Sequence, residues 1–132
     1  MDLQVGVKII LKNKDDKYLV LLRSAEKYPD AGAQWEVAGG RINTGTPLLE
    51  NLKREVKEET GLEIMGEPKL ITAQDILRPH KHIVRLTYLG VADGDIKLSD
   101  EHTDFKWLSL DELSKLEPMD SYFKTVLNTG NF

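Results

Sequence analysis

The chain has 132 residues, 40% hydrophobic and 30% charged, with a formal net charge of −4, enough apolar material for one core in a single domain spanning residues 1–132. The acidic balance has the wrong sign for a protein that wraps DNA or RNA, although it leaves room for a local basic pocket that meets a phosphorylated small molecule. Cysteine is absent, which excludes disulfides, thiolate metal sites and thiol catalysis and accords with a reducing, cytoplasmic setting; no apolar run long enough for a membrane span and no signal peptide is read.

The stretch "VGVKIILKNKDDKYLVLLR" sets Val5, Val7, Ile9 and Leu11 at the two-residue period of a strand, turns at Asn13–Asp16 and resumes from Tyr18 to Leu22. That is the pattern of a hairpin. Residues 24–34 are polar and contain Pro29 and Gly32, which predicts a loop before the short strand "WEV" and the glycine pair Gly39-Gly40. Next, Thr46 suits an N-cap, Pro47 the first helical position and Gly61 the position just past the end, so a helix is expected over 47–60. Strands are expected at 69–77 and 82–92 around the basic tip "RPHK", then a turn at Asp93-Gly94 and a short strand over Phe105–Leu108. Ser109 and Glu112 have capping-box spacing and open a short helix, and a last helix is expected over 120–128. The class is therefore α/β (α+β), a mixed β-sheet sandwiched between helices.

The helix over 47–60 carries an anomaly. At about 100° per residue with Leu48 at zero, Leu48, Leu49, Leu52 and Val56 form one stripe; Glu59 falls at about 20°, inside it, Glu55 at about −20° and Glu58 at about −80°. A solvated charged face with i, i+4 pairs, each contributing about 0.2–0.5 kcal/mol, accounts for Glu50, Lys53, Arg54 and Lys57. It does not account for Glu55 and Glu59, two like charges against the apolar side and near the helix C-terminus, where the dipole is unfavourable. A divalent cation held by carboxylate oxygens removes the conflict.

The same residues lie in a longer pattern. Gly40, Arg54, Glu55, Val56, Glu58, Glu59, Gly61 and Leu62 match the Nudix box, G-x5-E-x7-R-E-U-x-E-E-x-G-U with U aliphatic, and the chain resembles the MutT-like Nudix hydrolases. Six specified residues at about 6% background usage each make a chance match on the order of one in a million. The "W-x-x-x-G-G" approach at 35–40, the hairpin before it and the "EHTDFKW" segment after it extend the resemblance to most of the chain. Two positions depart from the pattern: Thr46 stands where related enzymes carry a glutamate that supports the metal network, and Ala38 where proline is common.

The resemblance implies a Nudix fold and a pyrophosphohydrolase that uses Mg²⁺, with Mn²⁺ as substitute, to cleave a nucleoside diphosphate linked to another group by attack of water on phosphorus. Nucleoside triphosphates, including damaged ones, are the favoured class; ADP-ribose, NDP-sugars and dinucleoside polyphosphates fit the same box. By this resemblance Glu58 and Glu59 are the principal metal ligands, Glu55 a third ligand or the general base, the Gly40 region lends a carbonyl, and Arg54 orients the carboxylates. Glu101, six residues before Trp107, would reach the metals or deprotonate water; read alone it is a solvated loop acid. For substrate, Arg23 is a phosphate-contact candidate or a strand-end surface residue, Trp35 a base-stacking platform or core, and the tip Arg78, His80, Lys81 and His82 a phosphate contact or a solvated turn. The partner is a nucleotide-derived small molecule, with no stable nucleic-acid or membrane binding and with a homodimer as the oligomer common in similar enzymes. Intact Glu55, Glu58 and Glu59 weigh against the alternative suggested by Thr46, a Nudix-fold domain that binds nucleotide without cleaving it.

Overall fold

The computed structural model describes residues 1–30, 32–129 and 132. The expected hairpin is formed by β1 (Asp2–Lys12) and β2 (Tyr18–Arg23), but their ladder is confined to the turn end, where Lys12 faces Tyr18. Beyond it the strands part and take different partners. β1 pairs in parallel with β6 (Lys81–Val91), from Asp2 opposite Lys81 to Lys12 opposite Val91, and antiparallel with β4 (Ala38–Arg41). β2 pairs with β7 (His102–Leu108) and with the two-residue β3 (Trp35–Glu36), and β5 (Met65–Arg78) flanks β6. The result is a curled mixed sheet whose halves diverge around a cleft.

Strand alternation sorts the core into two layers. Val7, Ile9 and Leu11 pack with Leu52 and Val56 of α1 (Leu48–Thr60). Ile10 and Val20 point the other way, onto Leu113 of α2 (Leu110–Lys115) and Phe123 and Val126 of α3 (Ser121–Thr129). The sheet therefore lies between α1 on one face and α2 with α3 on the other, as the sequence predicts. Each fully buried side chain of this kind contributes about 1.5–3 kcal/mol through apolar area removed from water.

Among the boundaries that differ from expectation, three have a physical reason, while β6 and α3 are each displaced by one residue. α1 starts at Leu48, with Pro47 in extended backbone (ψ 152°) at the cap and no side-chain cap bond. Thr46 instead lies in the preceding loop, its carbonyl and that of Pro47 accepting from Asn51 Nδ2 at 2.8 and 2.9 Å. β5 begins at Met65, ahead of the expected 69, because Gly66 and Pro68, which read as strand breakers, fall where the β5–β6 register shifts. β7 begins at His102, before its apolar residues, since its backbone follows β2 to Arg23. Gly61 closes α1 in the left-handed region (φ 76°), as expected, and the Ser109–Glu112 capping box opens α2. The loop over 24–34 is as expected at its described positions; Ala31 lies outside them.

Candidate active site

A cavity of about 530 Å³ opens where the sheet halves diverge, walled by α1, the start of β4, the end of β2 and the segment entering β7. α1 delivers its glutamates in the order the wheel predicts: Glu59 is 2% exposed, the Glu55 side chain 14% and that of Glu58 58%. Arg54 joins the outer two, its Nη1 lying 3.3 Å from both Glu55 Oε1 and Glu58 Oε2. Its Nη2 donates to Asn51 Oδ1 at 3.1 Å, so the residue that ties down the 43–47 loop also sets the guanidinium.

The glycine pair brings backbone close to these acids. Gly39 sits at φ 136°, where a Cβ would lie 2.0 Å from the Val7 carbonyl oxygen, and its N–H reaches Glu59 Oε1 at 3.5 Å. A Cβ on Gly40 would lie 3.0 Å from the Glu55 carboxyl group. Because that neighbour is the end of a flexible side chain, Gly40→Ala is expected to displace Glu55 with little effect on folding: activity falls at least tenfold while the melting temperature moves by only about 3 °C. Parallel turnover and thermal-melt measurements check this, and unchanged turnover would remove Glu55's placement from the mechanism.

Across the cavity, Glu101 is held by its own backbone, whose carbonyl accepts from Ser24 N–H at 2.9 Å, and by Tyr28, whose hydroxyl donates to Glu101 Oε1 at 3.1 Å. Glu59, Glu101 and His102 each present one ligand atom within 4.8 Å of the others'.

Beneath these lies a charge network that the sequence reading did not anticipate. The buried Glu36 carboxylate accepts from Lys8 Nζ at 3.2 Å, from Arg23 Nη2 at 2.5 Å and Nε at 3.3 Å, and meets His102 Nε2 at 2.9 Å. Lys8 also donates to the carbonyls of Val37 and Gly39. Burial would raise the Glu36 pKa, but Lys8, His102 and Arg23 outweigh it and hold the group well below the usual carboxylate range. Since an ionised carboxylate only accepts, His102 directs its Nε2 proton to Glu36, leaving Nδ1 facing Glu59 Oε1 at 3.9 Å. Glu59 is pushed the other way, to about 9, first by burial and then by Glu55 and Glu36, with Lys8 offsetting part of the rise.

This arrangement fits a divalent cation. Glu59 Oε2 and His102 Nδ1 are buried without a hydrogen-bond partner among the described residues, and Nδ1 lies 3.9 Å from the other Glu59 oxygen, Oε1, too far for a hydrogen bond. Both residues line the cavity that also holds Glu55 and Glu101, and carboxylate oxygens are the donors that hard cations prefer.

The structure brings Glu55, Glu59, Gly40, Arg23 and Glu101 to one cavity; Arg54 and Glu58 do not line it and are joined to it through the Arg54–Glu55 pair. Trp35 is 6% exposed and packs with Met119 and Phe123 in the core, Lys106 Nζ lying 5.1 Å above its ring; His82 pairs with Asp75 Oδ1 at 2.8 Å. Neither lines this cavity. The residues missed were Lys8, Glu36, His102 and Asn51. Lys8 and Glu36 had a legible signal, a charge set between apolar neighbours in a strand ("VKI", "WEV"); His102 and Asn51 had none.

A NUDIX domain family model matches residues 2–128. Among curated proteins, the chain is 27% identical over 112 residues to the nucleoside triphosphatase NudI of Salmonella agona (strain SL483), covering 76% of this chain and 79% of that one. It is 30% identical over 106 residues to the bis(5'-nucleosyl)-tetraphosphatase (asymmetrical) of Rattus norvegicus, covering 74% and 69%. The crystal structure of a MutT protein from Methanosarcina mazei Go1 superposes with a TM-score of 0.86 at 27% identity, over 97% of this chain and 92% of that one.

Proposed function

We propose, since the chain belongs to the NUDIX domain family, whose members are pyrophosphohydrolases acting on phosphorus anhydrides, that residues 1–132 act as one Mg²⁺-dependent hydrolase domain of nucleoside diphosphate derivatives, with nucleoside triphosphates and their modified forms as the first class. The reading includes a cytoplasmic setting, supported by a chain without cysteine, and a homodimer. The observation that carries it is the buried Glu59, with an unsatisfied carboxylate oxygen, turned into a cavity shared with Glu55 and Glu101.

In this reading Glu58 and Glu59 hold the cation, with Glu55, Glu101 and the Gly40 carbonyl as further donors. The cation supplies positive charge against the pyrophosphate and acidifies water. The chain's own residues do the rest. Arg54 keeps Glu55 and Glu58 apart and oriented by sharing its guanidinium between them. Glu55 or Glu101 takes the proton from the attacking water, each lying at the cavity wall where a carboxylate can meet it. Arg23, locked to Glu36, presents the rest of its guanidinium to a phosphate oxygen. The NudI relative's name supports nucleoside triphosphates, and that of the tetraphosphatase relative supports dinucleoside polyphosphates as the second class.

The test is release of phosphate, pyrophosphate and nucleoside monophosphate from standard and oxidised nucleoside triphosphates, ADP-ribose, NDP-sugars and diadenosine polyphosphates, with Mg²⁺ or Mn²⁺. Wild type is expected to turn over one class, and Glu58→Gln to lose about a hundredfold or more with its fold retained. No turnover, accompanied by cation-dependent thermal stabilisation, would replace this reading with a nucleotide-binding domain, and Thr46→Glu would then be the informative gain-of-function variant.

A further inference from the structure

We propose that the cleft between the β5–β6 tip and the start of α3 binds a phosphate group that the substrate carries in addition to the pyrophosphate under attack. The inference rests on the hydrolase reading above and names the chemistry of the substrate's far end.

The cleft holds about 670 Å³ and adjoins the acidic cavity, with which it shares Arg23, Arg41, Ile76, Ile83 and Arg85. One molecule can therefore lie across both. The two differ in charge balance: the first sets Glu36, Glu55, Glu59 and Glu101 against Lys8, Arg23, Arg41 and Arg85, whereas cations outnumber acids in the cleft. Arg41, Arg78, His80 and Lys81 join Arg23 and Arg85 in the lining, against the carboxylates of Asp30 and Asp120. Arg23 and Arg85 have acid partners, at 2.5 Å from Glu36 and 2.6 Å from Asp120. Among the described residues, Arg41, Arg78 and Lys81 form no salt bridge, so positive charge accumulates here on a chain whose net charge is −4.

Tyr122 gathers that charge. The Arg85 guanidinium lies 5.4 Å from the centroid of its ring and that of Arg78 5.9 Å, with Arg78 Nη1 donating to the phenol oxygen at 3.5 Å. Two guanidinium groups on one ring repel each other, and the nearby acid neutralises only one. Asp120 Oδ2 is occupied, accepting from Arg85 and from the Phe123 N–H at 3.0 Å, where it caps α3. The situation mirrors the glutamates of α1, like charges held together with a counter-charge left to be supplied.

Guanidinium and ammonium groups donate and do not accept, so this lining selects a group rich in acceptors and negative in charge. A neutral sugar or nucleobase would leave Arg78, Arg41 and Lys81 without counter-charge, whereas a phosphate oxygen pair suits a guanidinium fork. Two sources present the same chemistry: a phosphate on the ribose of the nucleoside, or an extra phosphate in the chain leaving from the scissile bond.

Binding without divalent cation removes the cation's own attraction for phosphate, so that the contribution of the cleft is read directly. Calorimetry would compare AMP with adenosine 2',5'-bisphosphate for the ribose source, and pyrophosphate with tripolyphosphate for the chain source. In one of the pairs the member with the extra phosphate is expected to bind about tenfold tighter, and in an Arg78→Ala/Lys81→Ala double variant the ratio falls to within about twofold. Arg78 is exposed and Lys81 half-buried, and a thermal melt verifies the fold. Equal binding in both pairs, or a preference that survives the double variant, overturns the proposal. Turnover with Mg²⁺ separates this from the hydrolase reading: hydrolysis with no preference in either pair removes the phosphate site and keeps the enzyme, while a preference with no hydrolysis of any nucleotide keeps the site and removes the enzyme.

Discussion

Glu59→Gln is expected to abolish the response to divalent cation and reduce turnover below detection, yet to make the cation-free protein more stable at pH 8. Glu59 is buried among acids, and its pKa rises from an ordinary 4.5 to about 9. Between those values the folded state keeps a proton that the unfolded state has released. Cation-free stability therefore falls as pH rises through that window, by more the closer pH comes to the folded value. Glutamine carries no titratable proton and escapes the loss, with a gain of about 1–3 kcal/mol at pH 8, or several degrees in melting temperature. Thermal melts of both proteins from pH 5 to 9, in EDTA and in Mg²⁺, test this. A cation must displace the retained proton, so its affinity in wild type should also rise with pH and its binding at pH 7 should release protons measurable in buffers of different ionisation enthalpy. A less stable glutamine variant at pH 8, or a wild type whose cation-free stability is flat with pH, would show that Glu59 is not held in the conflict described.

Glu36→Gln is expected to act in the opposite direction. Its carboxylate is the shared counter-charge of Lys8 and Arg23 and accepts from His102 Nε2, with the Lys8 side chain 11% and that of His102 3% exposed. An amide of the same shape leaves buried positive charge uncompensated, at a cost of about 3–5 kcal/mol. That corresponds to a melting temperature lower by about 10 °C or more. The pH dependence has its own sign. Because the folded pKa of Glu36 is depressed, its stabilisation is present above the ordinary value near 4.5 and is lost as pH falls below it. Wild type should therefore show a steep acid arm and Glu36→Gln a shallow one. Turnover should fall about 10–100-fold even where the variant is folded, since Arg23 and the segment bearing Glu101 and His102 lose their anchor. A variant melting within about 2 °C of wild type, with an unchanged acid arm, would contradict the network.

The difference between these two glutamates also marks the limit of what is legible in the chain. Glu59 is visible because helical periodicity is local: thirteen residues of α1 contain both the apolar stripe and the acid lying inside it. Its 2% exposure agrees with that pattern. The same holds for the hairpin turn at Asn13–Asp16, the Gly61 stop and the Ser109–Glu112 box, each specified within a few neighbouring residues. The acidic motif with its glycines likewise pointed to a candidate cation site and to the family.

Other features depend on which distant segments meet. Lys8 and Glu36 are 28 residues apart, and Glu36 and His102 are 66 apart. Their encounter requires β1 to leave β2 after one paired position, accept β4 on one side and run parallel to β6 on the other. No local period encodes that choice, because an antiparallel continuation of the hairpin would satisfy the same alternation. Tyr122 assembles Arg78 and Arg85 by a similar route, since α3 must fold back across the tip of β5 and β6 before two cations converge on one ring. The sequence by itself determined the glutamate helix, its punctuation and the class of chemistry, all of which are encoded by spacing along one element. Only the tertiary structure decided that a buried network of Lys8, Glu36, Arg23 and His102 supports the glutamates and that a basic cleft adjoins them, because electrostatic partners are selected by sheet register and not by distance along the chain.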